Sequence, residues 1–140
     1  MELFWEKIIT PLNEIKNSNG SIVKIYPNSQ IKEIGHISEI YLNKVLYNQI
    51  KGWNYHISSK IFIKVISGKI QLSLCNKEIV SMEISESDLY FIKIDSKTWF
   101  KFQGLFKLSS TILVFSELLH DKNEVIKLEP SLNPLKNNTK

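Results

Sequence analysis

No arginine and no alanine occur anywhere in this chain, and there is a single cysteine, Cys75. Each absence closes a door. Without arginine there is no planar guanidinium to read guanine edges or to grip a phosphate with a two-pronged fork. The net charge of +4 therefore comes from 18 lysines. They are scattered along the chain rather than gathered into a block, so no nucleic-acid partner is expected. Abundant Ile, Lys and Asn beside these absences looks like the codon bias of an AT-rich genome. One cysteine rules out an intramolecular disulfide, and Cys75, within Gln71-Leu72-Ser73-Leu74-Cys75, reads as a small core hydrophobe. No apolar run approaches the ~20 residues of a membrane helix. The N-terminal Met1–Lys7 carries acidic residues and no apolar core, unlike a signal peptide. A cytoplasmic setting without membrane contact is the expectation. Gly-rich phosphate loops, the Gly-x-Ser-x-Gly elbow and the dinucleotide fingerprint are all missing.

What is present is strand-like. After a short helix or arm over Glu2–Ile9, stopped by Pro11, and a turn at Asn17-Ser18-Asn19-Gly20, β-branched and aromatic residues dominate. The pattern predicts strands over Ser21–Tyr26, Glu33–Leu42, Lys44–Trp53, Lys60–Ile66, Lys69–Leu74, Glu78–Ile84, Asp88–Ile94, Thr98–Phe102 and Thr111–Glu117. Short polar punctuation separates them, with Ser67-Gly68 read as a tight hairpin. At 140 residues the expectation is one all-β domain over 1–130, a sandwich or barrel, followed by a flexible tail over 131–140 with almost nothing to bury.

The chemically informative stretch is Lys51-Gly52-Trp53-Asn54-Tyr55-His56. Side chains of a strand alternate with a period of two, so Asn54 and His56 share one face. An imidazole aimed into a barrel mouth is a general base near neutral pH. A metal centre is not expected: Asn54-Tyr55-His56 lacks the first ligand of a His-x-His pair, no glutamate follows before Gly68, and the later slot falls at Phe100. His36 and His120 lie far along the chain. His120-Asp121 reads as a hydrogen-bonded pair closing the last strand, and Lys60 and Lys64 as solvated strand lysines.

Several local patterns occur in a telling order: Gly35-His36-Ile37-Ser38-Glu39-Ile40, Lys51–His56, Gly68-Lys69, Trp99-Phe100-Lys101-Phe102-Gln103-Gly104 and His120-Asp121-Lys122-Asn123-Glu124. Together they resemble small members of the dTDP-4-dehydrorhamnose 3,5-epimerase family and the related nucleotide-sugar 3,4-ketoisomerases, over roughly Gly20 to Pro130. The resemblance implies a cupin-like jelly roll (a double-stranded β-helix) that needs no cofactor or metal and binds a nucleotide-linked 4-keto-6-deoxy sugar. It implies His56 as the base that removes a proton beside the ketone, with Asn54 holding the ketone or enolate oxygen and Lys51 near the diphosphate. Lys60, Trp99 and Phe100 are further candidate substrate contacts, and Glu129 is a candidate to return to the mouth and polarise His56. It also implies a homodimer in which an N-terminal strand covers a partner's sheet edge. Two departures stand out. The family's strand lysine aligns with Ile61 rather than Lys60, and its late-strand tyrosine falls near Leu113-Val114-Phe115. Two readings stay open: an epimerase or ketoisomerase of surface-polysaccharide synthesis, or a catalytically silent cupin that binds a sugar nucleotide or serves assembly.

Overall fold

A computed structural model describes residues 2–26 and 35–136. The chain runs α1 (Glu2–Ile8), β1 (Ile9–Pro11), β2 (Glu14–Asn17), β3 (Gly20–Val23), β4 (Glu39–Leu46), β5 (Ile50–His56), β6 (Ile61–Ser67), β7 (Lys69–Cys75), β8 (Ile79–Ser85), β9 (Tyr90–Ile94), β10 (Trp99–Gly104), β11 (Ser109–Ser116) and β12 (Val125–Lys127). Two five-stranded antiparallel sheets face each other, in the orders β1-β9-β6-β11-β4 and β12-β5-β10-β7-β8. This is the expected all-β, cupin-like jelly roll. β2 and β3 form a separate hairpin.

Alternation builds the core. Along β10, Phe100 and Phe102 are buried while Trp99, Lys101 and Gln103 are partly exposed. Ile61, Ile63 and Val65 of β6, Ile70, Leu72 and Leu74 of β7, and Ile112 and Val114 of β11 fill the space between the sheets. Each fully buried aliphatic side chain contributes about 1.5–3 kcal/mol relative to exposure. β6 is buried on both faces: Phe62 stacks on Phe91 with ring centroids 5.4 Å apart, in a second cluster with Leu12 and Phe115. Lys64 lies on that same outer face. Contrary to the solvated lysine expected, it is only 5% exposed and donates to the Val65 and Glu86 carbonyls. Cys75 is buried, and burial pushes its thiol pKa up, as suits a core residue.

Three boundaries differ from expectation for identifiable reasons. The strand break expected at Asn43 falls instead at Tyr47-Asn48-Gln49, where Asn48 takes a φ of 61°. Ser67-Gly68 is not a hairpin but a corner passing from the first sheet to the second. Gly68 has a φ of 81°, and a Cβ there would sit 2.9 Å from the Ser109 carbonyl oxygen, so glycine is required. The expected strand over Glu33–Leu42 begins partly outside the described residues, and is seen only from Glu39.

The segment after β12 does not hang free as expected. Through Lys136 it forms turns laid across the second sheet's outer face, and Pro134 is buried. Trp53 Nε1 donates to the Leu132 carbonyl at 2.9 Å, and Lys101 Nζ donates to the Pro130 carbonyl at 3.0 Å. A three-residue strand and a run of turns carry little periodic signal, which is why β12 and this strap went unseen. Residues 137–140 lie outside the described residues.

Candidate functional site

β5 serves both faces of its sheet because of one irregularity. Asn54 pairs with Phe100, but Gly52 pairs with Lys101, leaving Trp53 as an extra residue. Gly52 has a φ of 115°, and a Cβ there would meet the Phe100 carbonyl oxygen at 2.6 Å. Only glycine permits this approach. The consequence is that Trp53 turns onto the outer face under the strap, 1% exposed. Asn54 and His56 face inward with Phe100.

β4 and β12 are edge strands of opposite sheets, and the cleft opens between them. Register with buried β11 residues turns Glu39, Tyr41 and Asn43 of β4 inward, opposite Ser116, Val114 and Ile112. From the other sheet come His56 and, beside it across the strand pair, Val125. The connection from β11 to β12 closes the end with Leu118, Leu119, His120, Asp121 and Glu124. The resulting cleft is narrow, about 20 Å³.

His56 is half-buried, with its ring edge against Phe100 at 5.4 Å between centroids. Its Nδ1 is buried and has no hydrogen-bond partner among the described residues. Desolvation holds its pKa below the usual histidine value; Glu124 works in the opposite direction, and His120 adds to the lowering. The imidazole is therefore neutral near pH 7, the form that accepts a proton. Tyr41 has a raised pKa, from burial first and then from Glu39, so its phenol stays protonated. One carboxylate organises the surroundings: Glu124 Oε2 accepts from the backbone N–H groups of Ser58 (2.7 Å) and Ser59 (2.6 Å). The Glu39 carboxylate accepts from the His120 N–H at 3.2 Å. A neutral base, a protonated acid and nearby carboxylates make an arrangement suited to moving a proton. Among the described residues, no three His, Cys, Asp or Glu side chains are placed to hold a metal ion.

The structure sorts the candidate residues. His56 lines the cleft, and Phe100 packs against its ring from the core. Asn54 shares their face and lines a wider opening of about 590 Å³ with Lys51, Lys127 and Glu129. Lys51 is exposed and donates to Asn43 Oδ1 at 2.7 Å, from β5 to β4. Trp99 is on the other side of the sheet, tilted against Tyr55 with ring centroids 5.0 Å apart. Lys60 precedes β6 and lines neither opening; its neighbour Ile61 takes the inward position, as a one-residue offset dictates. Glu129 lines the wider opening rather than His56's cleft; the carboxylate acting on His56 is Glu124. His120 lies in the cleft rather than merely closing a strand. Tyr41 and Glu124 were missed: Tyr41 had no motif around it, although its spacing from Glu39 and Asn43 marks one strand face.

No family model matches the chain, and no curated protein matches it. Solved structures do share its fold. The dTDP sugar isomerase from Desulfovibrio desulfuricans G20 is 16% identical, with a TM-score of 0.74 covering 86% of this chain and 82% of that one. A variant of the 3,4-ketoisomerase QdtA from Thermoanaerobacterium thermosaccharolyticum, in complex with TDP-4-keto-6-deoxyglucose, is 16% identical, with a TM-score of 0.73 over 86% of each chain. NovW, a 4-keto-6-deoxy sugar epimerase from Streptomyces spheroides, is 8% identical, with a TM-score of 0.78 covering 87% of this chain and 68% of that one.

Proposed function

We propose that this chain is a nucleotide-sugar epimerase or ketoisomerase of surface-polysaccharide synthesis, acting on a 4-keto-6-deoxy sugar without metal or cofactor. The observation that carries the reading is His56, a neutral imidazole with an unpartnered Nδ1, facing a cleft shared with a phenol and carboxylates on a fold that sugar-nucleotide isomerases and epimerases also use. His56 takes the proton from the carbon beside the ketone, and the electron pair moves into an enolate whose oxygen accepts a hydrogen bond from Asn54 or Tyr41. Return of a proton to the other face of the same carbon gives inversion; return to the former carbonyl carbon, with the proton of the adjacent hydroxyl passing to the enolate oxygen, gives ketone migration. Tyr41 and His120 are the residues beside His56 able to donate it. Lys51 and Lys127, flanking Asn54 in the wider opening, meet the diphosphate as point charges. A sugar ring does not fit in about 20 Å³, so its entry requires the Leu118–Asp121 segment to move outward, breaking the Glu39–His120 bond.

The test is solvent deuterium incorporation into TDP-4-keto-6-deoxyglucose and related 4-keto sugars. Exchange that disappears in His56→Asn supports the reading; exchange that survives removes His56 from the mechanism. A second reading, a silent cupin that binds a sugar nucleotide or serves assembly, draws on the closed cleft and on Ile61, Leu113 and Phe115 standing where the resembled family has its lysine and tyrosine. Ligand binding with no exchange at all would favour it.

The proposed setting is cytoplasmic, with no nucleic-acid or membrane partner; no described helix is long and apolar enough to cross a membrane. Edge strand β4 exposes Ile40, Leu42 and Leu46, and the β2–β3 hairpin exposes the cross-strand pair Ile15 and Ile22. A homodimer covering these surfaces is part of the proposal. Light scattering should give a dimer mass that Leu42→Lys converts to a monomer; a monomeric wild type would refute it.

A further inference from the structure

A second groove lies on the opposite face of the His56 sheet. Its floor is the outer side of β10, β7 and β8, carrying Gln103, Gln71, Ser73 and Ser81, and its wall is the strap around Pro130–Asn133. The volume is about 320 Å³, at the small end of the ~300–1,000 Å³ typical of small-molecule sites.

Three features set this groove apart from an ordinary wet sheet face. First, Gln71 and Gln103 are direct cross-strand neighbours and both half-buried, yet neither carboxamide hydrogen-bonds to another described residue. Side by side, two carboxamides offer paired donors and acceptors, the complement of neighbouring hydroxyls on a sugar ring. Secondly, Ser73 and Ser81 are already linked at 2.9 Å between hydroxyl oxygens, and Ser73 is buried, so this part of the floor is fixed. Thirdly, the Lys101 ammonium is held in place, 4.5 Å above the Trp53 ring and bonded to the Pro130 carbonyl. That leaves donors to spare on its three N–H bonds. Among the described residues no aspartate or glutamate lines the groove, and Glu83, beside Gln71 on β8, is paired with Lys69 at 3.0 Å. Burial lowers the lysine's pKa, and a bound anion offsets that penalty by favouring the charged form.

We propose that this groove binds a sugar acid, a pyranose bearing a carboxylate, with the carboxylate on Lys101 and ring hydroxyls on Gln71 and Gln103. The site is separate from the His56 cleft and does not depend on the activity proposed for it.

The probe is D-glucuronate, with D-glucose and inorganic phosphate as controls, added to the full-length chain and followed by NMR. Expected are saturable shifts of the Gln71 and Gln103 side-chain NH₂ and Trp53 indole N–H signals. Glucose and phosphate should each bind at least about tenfold more weakly. Gln71→Ala with Gln103→Ala removes no side-chain hydrogen bond between described residues, and an unchanged urea midpoint would show that the fold is kept; it should weaken glucuronate at least about tenfold. Lys101→Met should do the same, while His56→Asn should leave glucuronate binding unchanged. No saturable shift, equal binding of glucose or phosphate, or full affinity in the double glutamine variant would each overturn the assignment.

Discussion

Replacing Glu124 separates the structural work of one carboxylate from its electrostatic work. Glu124→Ala removes the acceptor of two backbone N–H groups, on Ser58 and Ser59. The Ser58 bond is exposed, so water replaces most of what is lost; the Ser59 bond is partly buried, beside a side chain that is 2% exposed. Counting about 1 kcal/mol for the first and about 1–3 kcal/mol for an unsatisfied partly buried donor, the loss is about 2–4 kcal/mol. Glu124→Gln keeps an oxygen acceptor but not its charge, and should cost about 1 kcal/mol. Both remove the one influence that favours the His56 imidazolium, so in both variants the His56 pKa should move further below 6.5. Urea denaturation at pH 7 measures the first effect, and titration of the His56 ring protons by NMR the second. An alanine variant as stable as wild type, or a His56 pKa that rises on losing the carboxylate, would refute the account of how this end of the cleft is held.

Trp53→Ala empties a site 1% exposed and releases the strap's bond at Leu132, so stability should fall by about 3–5 kcal/mol in urea. Gly52→Ala puts a methyl group against the Phe100 carbonyl at a φ of 115°; a loss of about 1–3 kcal/mol is expected, with the His56 ring signals displaced. A fully stable Gly52→Ala would mean the bulge tolerates a side chain. The pH dependence follows from the sign of the His56 shift. A histidine whose folded pKa is lowered binds fewer protons folded than unfolded, so its penalty is absent above about pH 6.5 and grows as pH falls from there toward the folded pKa. Wild-type stability should therefore drop between those limits more steeply than that of His56→Gln; parallel curves would contradict the lowered pKa.

The strands were legible because their signal is local. Ile70-Gln71-Leu72-Ser73-Leu74 alternates, and β7 is built accordingly. Sheet membership was not legible: Ser67-Gly68 has hairpin composition, yet its glycine serves a corner whose necessity appears only when Ser109 and Ser110 of β11 lie against it. The same limit governed the site. His56 and Asn54 were found by alternation along a single strand. Tyr41 and Glu124 join His56 in the cleft from the opposite sheet's edge strand and from the connection before β12, and no one-dimensional pattern records that meeting. Trp99 and Phe100 were both carried as candidate contacts; adjacency on a strand sends them to opposite faces, and it is Phe100 that turns inward.

The bulge at Trp53 ties these outcomes together. In an unbroken strand, Lys51, Trp53 and Tyr55 would share one face, with Gly52, Asn54 and His56 on the other. With one residue extra, Gly52 and Trp53 both belong to the outer side, so Lys51 falls opposite the inward Phe102 while Asn54 stays opposite the inward Phe100. Lysine, amide and imidazole are thereby placed on one face of the sheet, which strict alternation would divide. The displaced indole meanwhile anchors the strap that forms the groove behind it. Both candidate sites therefore depend on a glycine that no side chain can replace without pushing on Phe100. A Gly52 substitution that damaged only one of the two would mean the faces are specified independently.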